Sequence, residues 1–494
     1  MGEHILAIDQ GTTGTTVLVL DVRGRVVGRH TVAVPQHFPG PGMVEHDGEE
    51  IWSGVVEAIG GALTASGVAP SSVRAVGITN QRETTLLWHR ATGRPVHRAI
   101  VWQDRRTAPE CAALRARGVE PLVYERAGLL LDPYFSGTKV AWLLDHVEGA
   151  RAAALRGELA FGTVDTWLVH KLTGGGHVTD VTNASRTMLL GLKSLAWDDE
   201  LLAALDVPRS VLPEVVASAG EVGRTKGVPG LPDGVPIAGI AGDQQAALFG
   251  QGCFRKGDVK CTYGTGAFVL MNCGSEPLPS RHRLLTTVGW KIPGEVAYAI
   301  EGSSFIAGAA VQWLRDGLGV ISSAAEVEAL ARSVPDAGEV VFVPALTGVG
   351  APHWSPEARG LVCGIGRDTT KAHLARATLD GIALQIAELV EAMAKDAGAA
   401  IASMRVDGGA SANDLLMQIQ ADVAATRVVR PKALETTAMG AGMLAALGAG
   451  LVGSRDEVLG SIAVDRTFTP EAPAAAVDAL RGRWNRAVAR ALLP

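Results

Sequence analysis

Ile5-Leu6-Ala7-Ile8-Asp9-Gln10-Gly11-Thr12-Thr13-Gly14-Thr15 reads as a buried strand that ends in an acid and runs into a turn of Gly and Thr, with Val17-Leu18-Val19-Leu20 as a second strand. Past the midpoint the plan recurs in Val259-Lys260-Cys261-Thr262-Tyr263-Gly264-Thr265-Gly266-Ala267-Phe268-Val269-Leu270: strand, Gly-Thr-Gly turn, strand. Glycine lets the backbone approach an anion with no Cβ in the way, and a tight turn aims successive N–H groups inward. Thr hydroxyls add donors without charge, and Asp9 at a strand end can hold a magnesium ion, directly or through water. Either turn alone also reads as an ordinary hairpin turn. Two of them face to face would make a phosphate clamp.

Outward from the first turn, Asp21-Val22-Arg23-Gly24-Arg25 reverses the chain and Val26 to Val34 reads as a third strand. Ile51 to Ala65 reads as a helix whose start suits Glu49-Glu50, and Val73 to Ile78 as a buried strand leading into Thr79-Asn80-Gln81-Arg82-Glu83. Pro208 to Pro213 and Gly227 to Pro236 read as surface loops before Ile237-Ala238-Gly239-Ile240-Ala241-Gly242-Asp243-Gln244-Gln245. The second turn follows soon after, so the domain boundary is expected near residue 250, giving domains 1–250 and 251–494. In the second half, Leu374, Ile382, Ile386, Leu389, Val390 and Met393 set a helical period over Lys371 to Asp396 that Gly398 ends. Met404 to Asp407 then reads as a strand entering Gly408-Gly409-Ala410-Ser411-Ala412-Asn413, with Ser411 or Asn413 as the cap of the next helix.

A chain of 494 residues exceeds what one core usually supports, so two domains are expected. The net charge of −6 and the lack of a long Lys/Arg run disfavour DNA or RNA as a partner. Met1-Gly2-Glu3-His4 enters a strand without the segments of a signal peptide, so the protein is expected to stay in the cytoplasm. Cys111, Cys253, Cys261, Cys273 and Cys363 are odd in number and lack C-x-x-C spacing, which reads as buried thiols. Thr436 to Ser454 carries no charge and is long enough to suggest a membrane span. Its Ala and Gly content reads instead as a buried helix packed closely through small residues, with no membrane insertion.

Six motifs in one order resemble a known family. Asp9-Gln10-Gly11-Thr12-Thr13, Gly77 to Thr85, Pro133-Tyr134-Phe135-Ser136-Gly137-Thr138-Lys139, Gly242-Asp243-Gln244-Gln245, Tyr263-Gly264-Thr265-Gly266 and Asp407-Gly408-Gly409 are similar to those of glycerol kinases, which belong to the FGGY carbohydrate kinases. The likeness spans residue 5 to about 450. It implies an α/β fold of two actin-like ATPase (ribonuclease H-like) domains with a cleft between them. It also implies phosphoryl transfer from ATP, with Mg2+, to glycerol, and a homodimer or homotetramer.

By the same resemblance Asp243 is the general base. A carboxylate near the attacking hydroxyl can take its proton late in the transfer. Read without the resemblance, Asp243 could equally cap a helix beginning at Gln245. Arg82, Glu83, Tyr134, Asp243 and Gln244 match the residues that hold the acceptor, with Trp102 and Phe268 as walls. Arg donates, Glu accepts and Tyr does either, as a small triol requires. The plainer alternatives are an exposed Arg82–Glu83 ion pair on a hairpin and a core Trp102. The first domain would carry the acceptor site and first phosphate loop, the second the other loop and the nucleoside site. Thr12, Thr13, Gly14 and Thr265 are implied at the phosphates, Gly308, Gln312, Gly409 and Asn413 around the nucleoside, and Asp9 and Asp243 at magnesium. Gly308 and Gln312, four apart, would share a helix face, and Gly409 before a helix would offer a flat base a close backbone approach and free N–H donors.

Thr16 stands where many glycerol kinases carry Arg, which implies one fewer cation near the phosphates. Arg224 to Pro236 lacks the segments by which some members respond to fructose 1,6-bisphosphate or a phosphocarrier protein, so neither control is expected. A related kinase for a larger polyol or ketose is the nearest rival reading. A nucleotide-driven conformational switch without an acceptor is the other.

Overall fold

The apolar run Ile5–Ile8 forms the interior strand His4–Gln10 of a sheet in the computed structural model, which describes residues 2–459 and 462–493. His4–Gln10, Gly14–Asp21 and Val26–Ala33 form the expected antiparallel meander. On its other edge His4–Gln10 pairs in parallel with Val73–Asn80, which pairs in parallel with Pro236–Gly242, and Ala219–Arg224 closes the sheet antiparallel. Buried on both faces, these central strands are continuously apolar rather than alternating.

The second sheet repeats the plan. Val259–Tyr263 and Ala267–Gly274 are antiparallel, Glu295–Ser304 and Leu285–Ile292 extend that side, and Ser403–Asp407 and Arg427–Pro431 continue in parallel on the other. Val464–Phe468 is its antiparallel edge. Among the described residues the two sheets have six and seven strands, and the turns of the two meanders face one cleft. This is the doubled actin-like α/β arrangement.

The helix expected over 51–65 runs Gly48–Ser66; its cap is Asp47, whose carboxylate accepts from the amides of Glu49 and Glu50. Lys371–Ala397 ends at Gly398 with φ 65°, a left-handed conformation that glycine adopts without a Cβ penalty. The two Pro/Gly loops are better anchored than their composition suggests: Val211, Leu212, Val228, Leu231 and Val235 are buried. Cys111, Cys253, Cys261 and Cys273 are buried free thiols and Cys363 is half-buried.

The uncharged segment forms the helix Thr436–Gly448, which lies against strands of the first sheet and against the helix Asp243–Gly250. Small residues permit this approach: a Cβ on Gly440 would lie 1.9 Å from the Ala246 carbonyl oxygen. Ala7, Leu18, Phe249, Met439 and Leu444 share one buried cluster there, each larger side chain contributing about 1.5–3 kcal/mol by burial. Among the described residues no helix is long and apolar enough to cross a membrane.

Candidate active site

Strand Val73–Asn80 delivers Gln81, Arg82 and Glu83 into the cleft, with Glu83 held at φ 61°. That left-handed backbone is uncommon for a non-glycine residue and is fixed by its neighbours: the Glu83 carbonyl accepts from Ser136 Oγ at 3.1 Å, Thr85 Oγ1 at 3.0 Å and Lys139 Nζ at 3.4 Å. Lys139 also donates to the carbonyls of Tyr134 (2.5 Å) and Phe135 (3.2 Å). Burial pushes its ammonium down to about 8, against the pull of Glu83. One buried cation thus ties the Arg82-Glu83 loop to the Tyr134 loop.

Strand Pro236–Gly242 brings Asp243 to the same place. The helix Asp243–Gly250 starts at Asp243 itself with Gly242 in the cap position, so the reading of Asp243 as cap of a helix from Gln245 does not hold. The Asp243 carboxylate accepts from the Gln244 amide at 2.7 Å and faces Arg82 Nε at 3.2 Å, with 30% of its side chain still open. Burial raises its proton affinity, and the charges of Arg82 and Lys260 partly offset this.

Arg82 and Glu83 are 2% and 1% exposed, which removes the alternative of a surface ion pair. Arg82 donates to Glu301 through both terminal nitrogens (2.5 and 3.0 Å), to Gln245 Oε1 at 3.2 Å and to Tyr134 Oη at 3.3 Å. Arg186 donates to Glu83 at 2.6 Å and to Glu301 at 2.9 Å. Trp102 is not plain core: its indole donates to Thr12 Oγ1 at 2.8 Å, and its ring meets Tyr134 and Phe268 edge-on at 5.6 and 6.3 Å.

These groups line a cavity of about 460 Å³ shared by Thr12, Thr13, Arg82, Glu83, Trp102, Tyr134, Asp243, Gln244, Thr265, Phe268 and Gln312. A second cavity of about 540 Å³ adjoins it through Gly264, Thr265 and Gln312, and is lined by Gly308, Gly409 and Asn413. Gly308 and Gln312 lie on the helix Gly308–Asp316, whose start packs on the second turn: a Cβ on Gly308 would sit 2.6 Å from the Gly264 carbonyl oxygen. Gly14 lines neither cavity; its carbonyl accepts from Gly11 N and closes the first turn. The α-helix Asp414–Ala424 beyond Gly409 does not leave its first amides free. Glu328 accepts from Asp414 N and Leu415 N, and Asn413, not Ser411, accepts from Leu416 N. Gly409 itself has open space in front of it.

Asp9 lies behind the first turn, its carboxyl pushed up to about 8 by burial and by the charges of Asp243, Glu435 and Asp407. Asp407 carries a buried oxygen, Oδ1, without a hydrogen-bond partner. Carboxylates crowded beside a phosphate-sized cleft suit magnesium, which keeps most of its water and takes one or two protein carboxylates with the substrate phosphates. Among the described residues no three His, Cys, Asp or Glu side chains form a closed metal cage.

The pattern described as "FGGY family of carbohydrate kinases, N-terminal domain" matches residues 4–250, and that of the "C-terminal domain" matches 259–449. The chain belongs to the FGGY family of carbohydrate kinases. This FGGY kinase is 57% identical over 492 residues to a glycerol kinase of Myxococcus xanthus, covering 99% of each chain. It is 56% identical to that of Alkalilimnicola ehrlichii, covering 99% of this chain and 98% of that one. The crystal structure of Plasmodium falciparum glycerol kinase with ADP superposes with TM-score 0.92 at 33% identity, covering 100% of this chain and 99% of that one. A gluconate kinase of Lactobacillus acidophilus shares the fold, with TM-score 0.88 at 21% identity over 99% of this chain and 98% of that one.

Three charged groups of the FGGY kinase site escape sequence reasoning. Lys260, 0% exposed, donates to Gln244 Oε1 and, at 3.0 Å, to Thr262 Oγ1. It stood in the second quoted stretch, where its position in an apolar strand was the available signal. Glu301 and Arg186 gave none, since their partners are more than a hundred residues distant.

Proposed function

We propose that this FGGY kinase transfers the γ-phosphoryl group of ATP to a terminal hydroxyl of glycerol, giving sn-glycerol 3-phosphate and ADP. The observation that carries this reading is one cavity that brings Arg82, Glu83, Tyr134 and Asp243 together with the aromatic rings of Trp102 and Phe268 and with the second glycine turn. Arg82 donates to the acceptor's hydroxyls, Glu83 accepts from them, and Tyr134 can do either. Trp102 and Phe268 cover its carbon chain, and the contacts of Trp102 with Tyr134 and with Phe268 limit the room for a longer sugar. The full-length relatives named glycerol kinase support the same choice.

In the proposed reaction the acceptor oxygen attacks the γ-phosphorus, a P–O bond forms, and the bond to the leaving ADP oxygen breaks. Asp243 receives the hydroxyl proton late in that step. Thr12, Thr13 and Thr265 donate to the phosphates, while Gly308, Gln312, Gly409 and Asn413 surround the nucleoside. Magnesium, when bound, offsets phosphate charge, and Asp9 and Asp243 would hold it through its water shell. Closure of the two halves excludes water and limits hydrolysis of ATP.

Three directional contacts also predict one prochiral end of glycerol. Product formed from glycerol should be fully oxidised by a dehydrogenase specific for sn-glycerol 3-phosphate. Half oxidation, the signature of a racemate, would contradict the assignment of Arg82, Glu83 and Tyr134.

A further inference from the structure

Arg82, the central donor of the acceptor cavity, is not positioned by its own half of the molecule alone. Its guanidinium is gripped by Glu301, at 2.5 Å to Oε2 and 3.0 Å to Oε1. Glu301 stands on Glu295–Ser304 in the second sheet, between Leu270 and Leu285 of the flanking strands, whereas Arg82 follows a strand of the first sheet. Arg186 completes the link, donating to Glu301 at 2.9 Å and to Glu83 at 2.6 Å. All four side chains are buried to within 2% of full exclusion. Two cations and the carboxylates of Glu83 and Glu301 balance, and Asp243 adds the remaining negative charge at the cavity's edge.

A surface ion pair across a domain boundary would contribute little, but a desolvated two-point pair fixes orientation, because displacing either partner leaves a buried charge without its counterpart. We propose that Glu301 is a positioning residue for the acceptor: by holding Arg82 and Arg186 it makes the acceptor pocket complete only when the second half of the molecule is seated against the first. This rests on the reading of the cavity as an acceptor site. Glu301 lines neither cavity itself and meets the first only through Arg82, so its effect on nucleotide binding is small.

The test is steady-state kinetics of Glu301→Gln and Glu301→Asp against the wild type, with the best acceptor of the wild type and with magnesium-ATP varied in turn. Glu301→Gln should raise KM for the acceptor at least tenfold while KM for ATP moves less than threefold. Glu301→Asp, which keeps the charge at shorter reach, should recover part of that loss. Equal changes in both KM values, or an unchanged acceptor KM, would overturn the proposal. If Glu301→Gln does not fold, Glu301→Asp decides alone: a selective rise in acceptor KM supports the role and no selectivity overturns it. A wild type that uses no acceptor would instead overturn the reading of the cavity.

Discussion

The proposed roles of Asp243 and Tyr134 can be separated at the scale of single residues. Asp243→Asn keeps the size of the side chain and can still accept from the Gln244 amide, but it cannot take a proton. Turnover should fall by roughly 10²–10⁴, measured as ADP release at saturating substrates, and a turnover within a few-fold of wild type would remove Asp243 from the role of base. Tyr134→Phe removes one partner of Arg82 Nη2 and one acceptor contact, so KM for glycerol should rise by about 2–10-fold, the equivalent of one net hydrogen bond, with little change in KM for ATP. Arg82, Glu83, Tyr134, Asp243 and Gln244 were legible in the sequence because each sits in a short contiguous motif. Glu301 and Arg186 were not, since what makes them matter is strand register and packing between distant segments, which no local pattern encodes.

Helix Thr436–Gly448 shows how elements set the site. A methyl group on Gly440 would collide with the Ala246 carbonyl, in the helix that begins at Asp243. Gly440→Ala should therefore destabilise the protein by about 1–3 kcal/mol or more, read as a lowered urea midpoint, and should also lower turnover by displacing Asp243. An unchanged midpoint would show that the two helices can separate without cost. The strands read from the sequence were legible as apolar runs and the helices Gly48–Ser66 and Lys371–Ala397 by their apolar period, both local signals, and the closeness of helix Thr436–Gly448 followed from its Ala and Gly content. Long-range contacts escape a local reading. The Pro/Gly loops lie at the surface as read, with Leu231 and Val235 turned into the core, while the first amides of the helix Asp414–Ala424, beyond Gly409, are occupied by Glu328 from a distant helix.

Charge burial gives single groups of the molecule a pH dependence of predictable sign. Asp165 is fully buried, and its carboxyl is pushed up to about 7, first by burial and then by the nearby charge of Asp180. Folding thus favours its protonated form, so its stabilising contribution is complete below the ordinary value of 3.8 and is lost as pH rises through about 7. Asp165→Asn should remove this contribution, so that from mildly acidic to neutral pH the urea midpoint falls less, or rises more, than in the wild type; an unaltered slope would contradict the assignment. The duplicated strand-turn-strand plan was the sequence feature that pointed to the two-sheet architecture, and the two cavities adjoin at its second glycine turn. The central claim is that this shared cleft delivers phosphate to glycerol. It is tested most directly by ADP release from magnesium-ATP with glycerol, dihydroxyacetone, erythritol, xylulose, ribulose, gluconate or no acceptor. Turnover with glycerol well above every other acceptor is the predicted result, whereas a preference for xylulose, ribulose or gluconate, or equal ADP release without any acceptor, would contradict it.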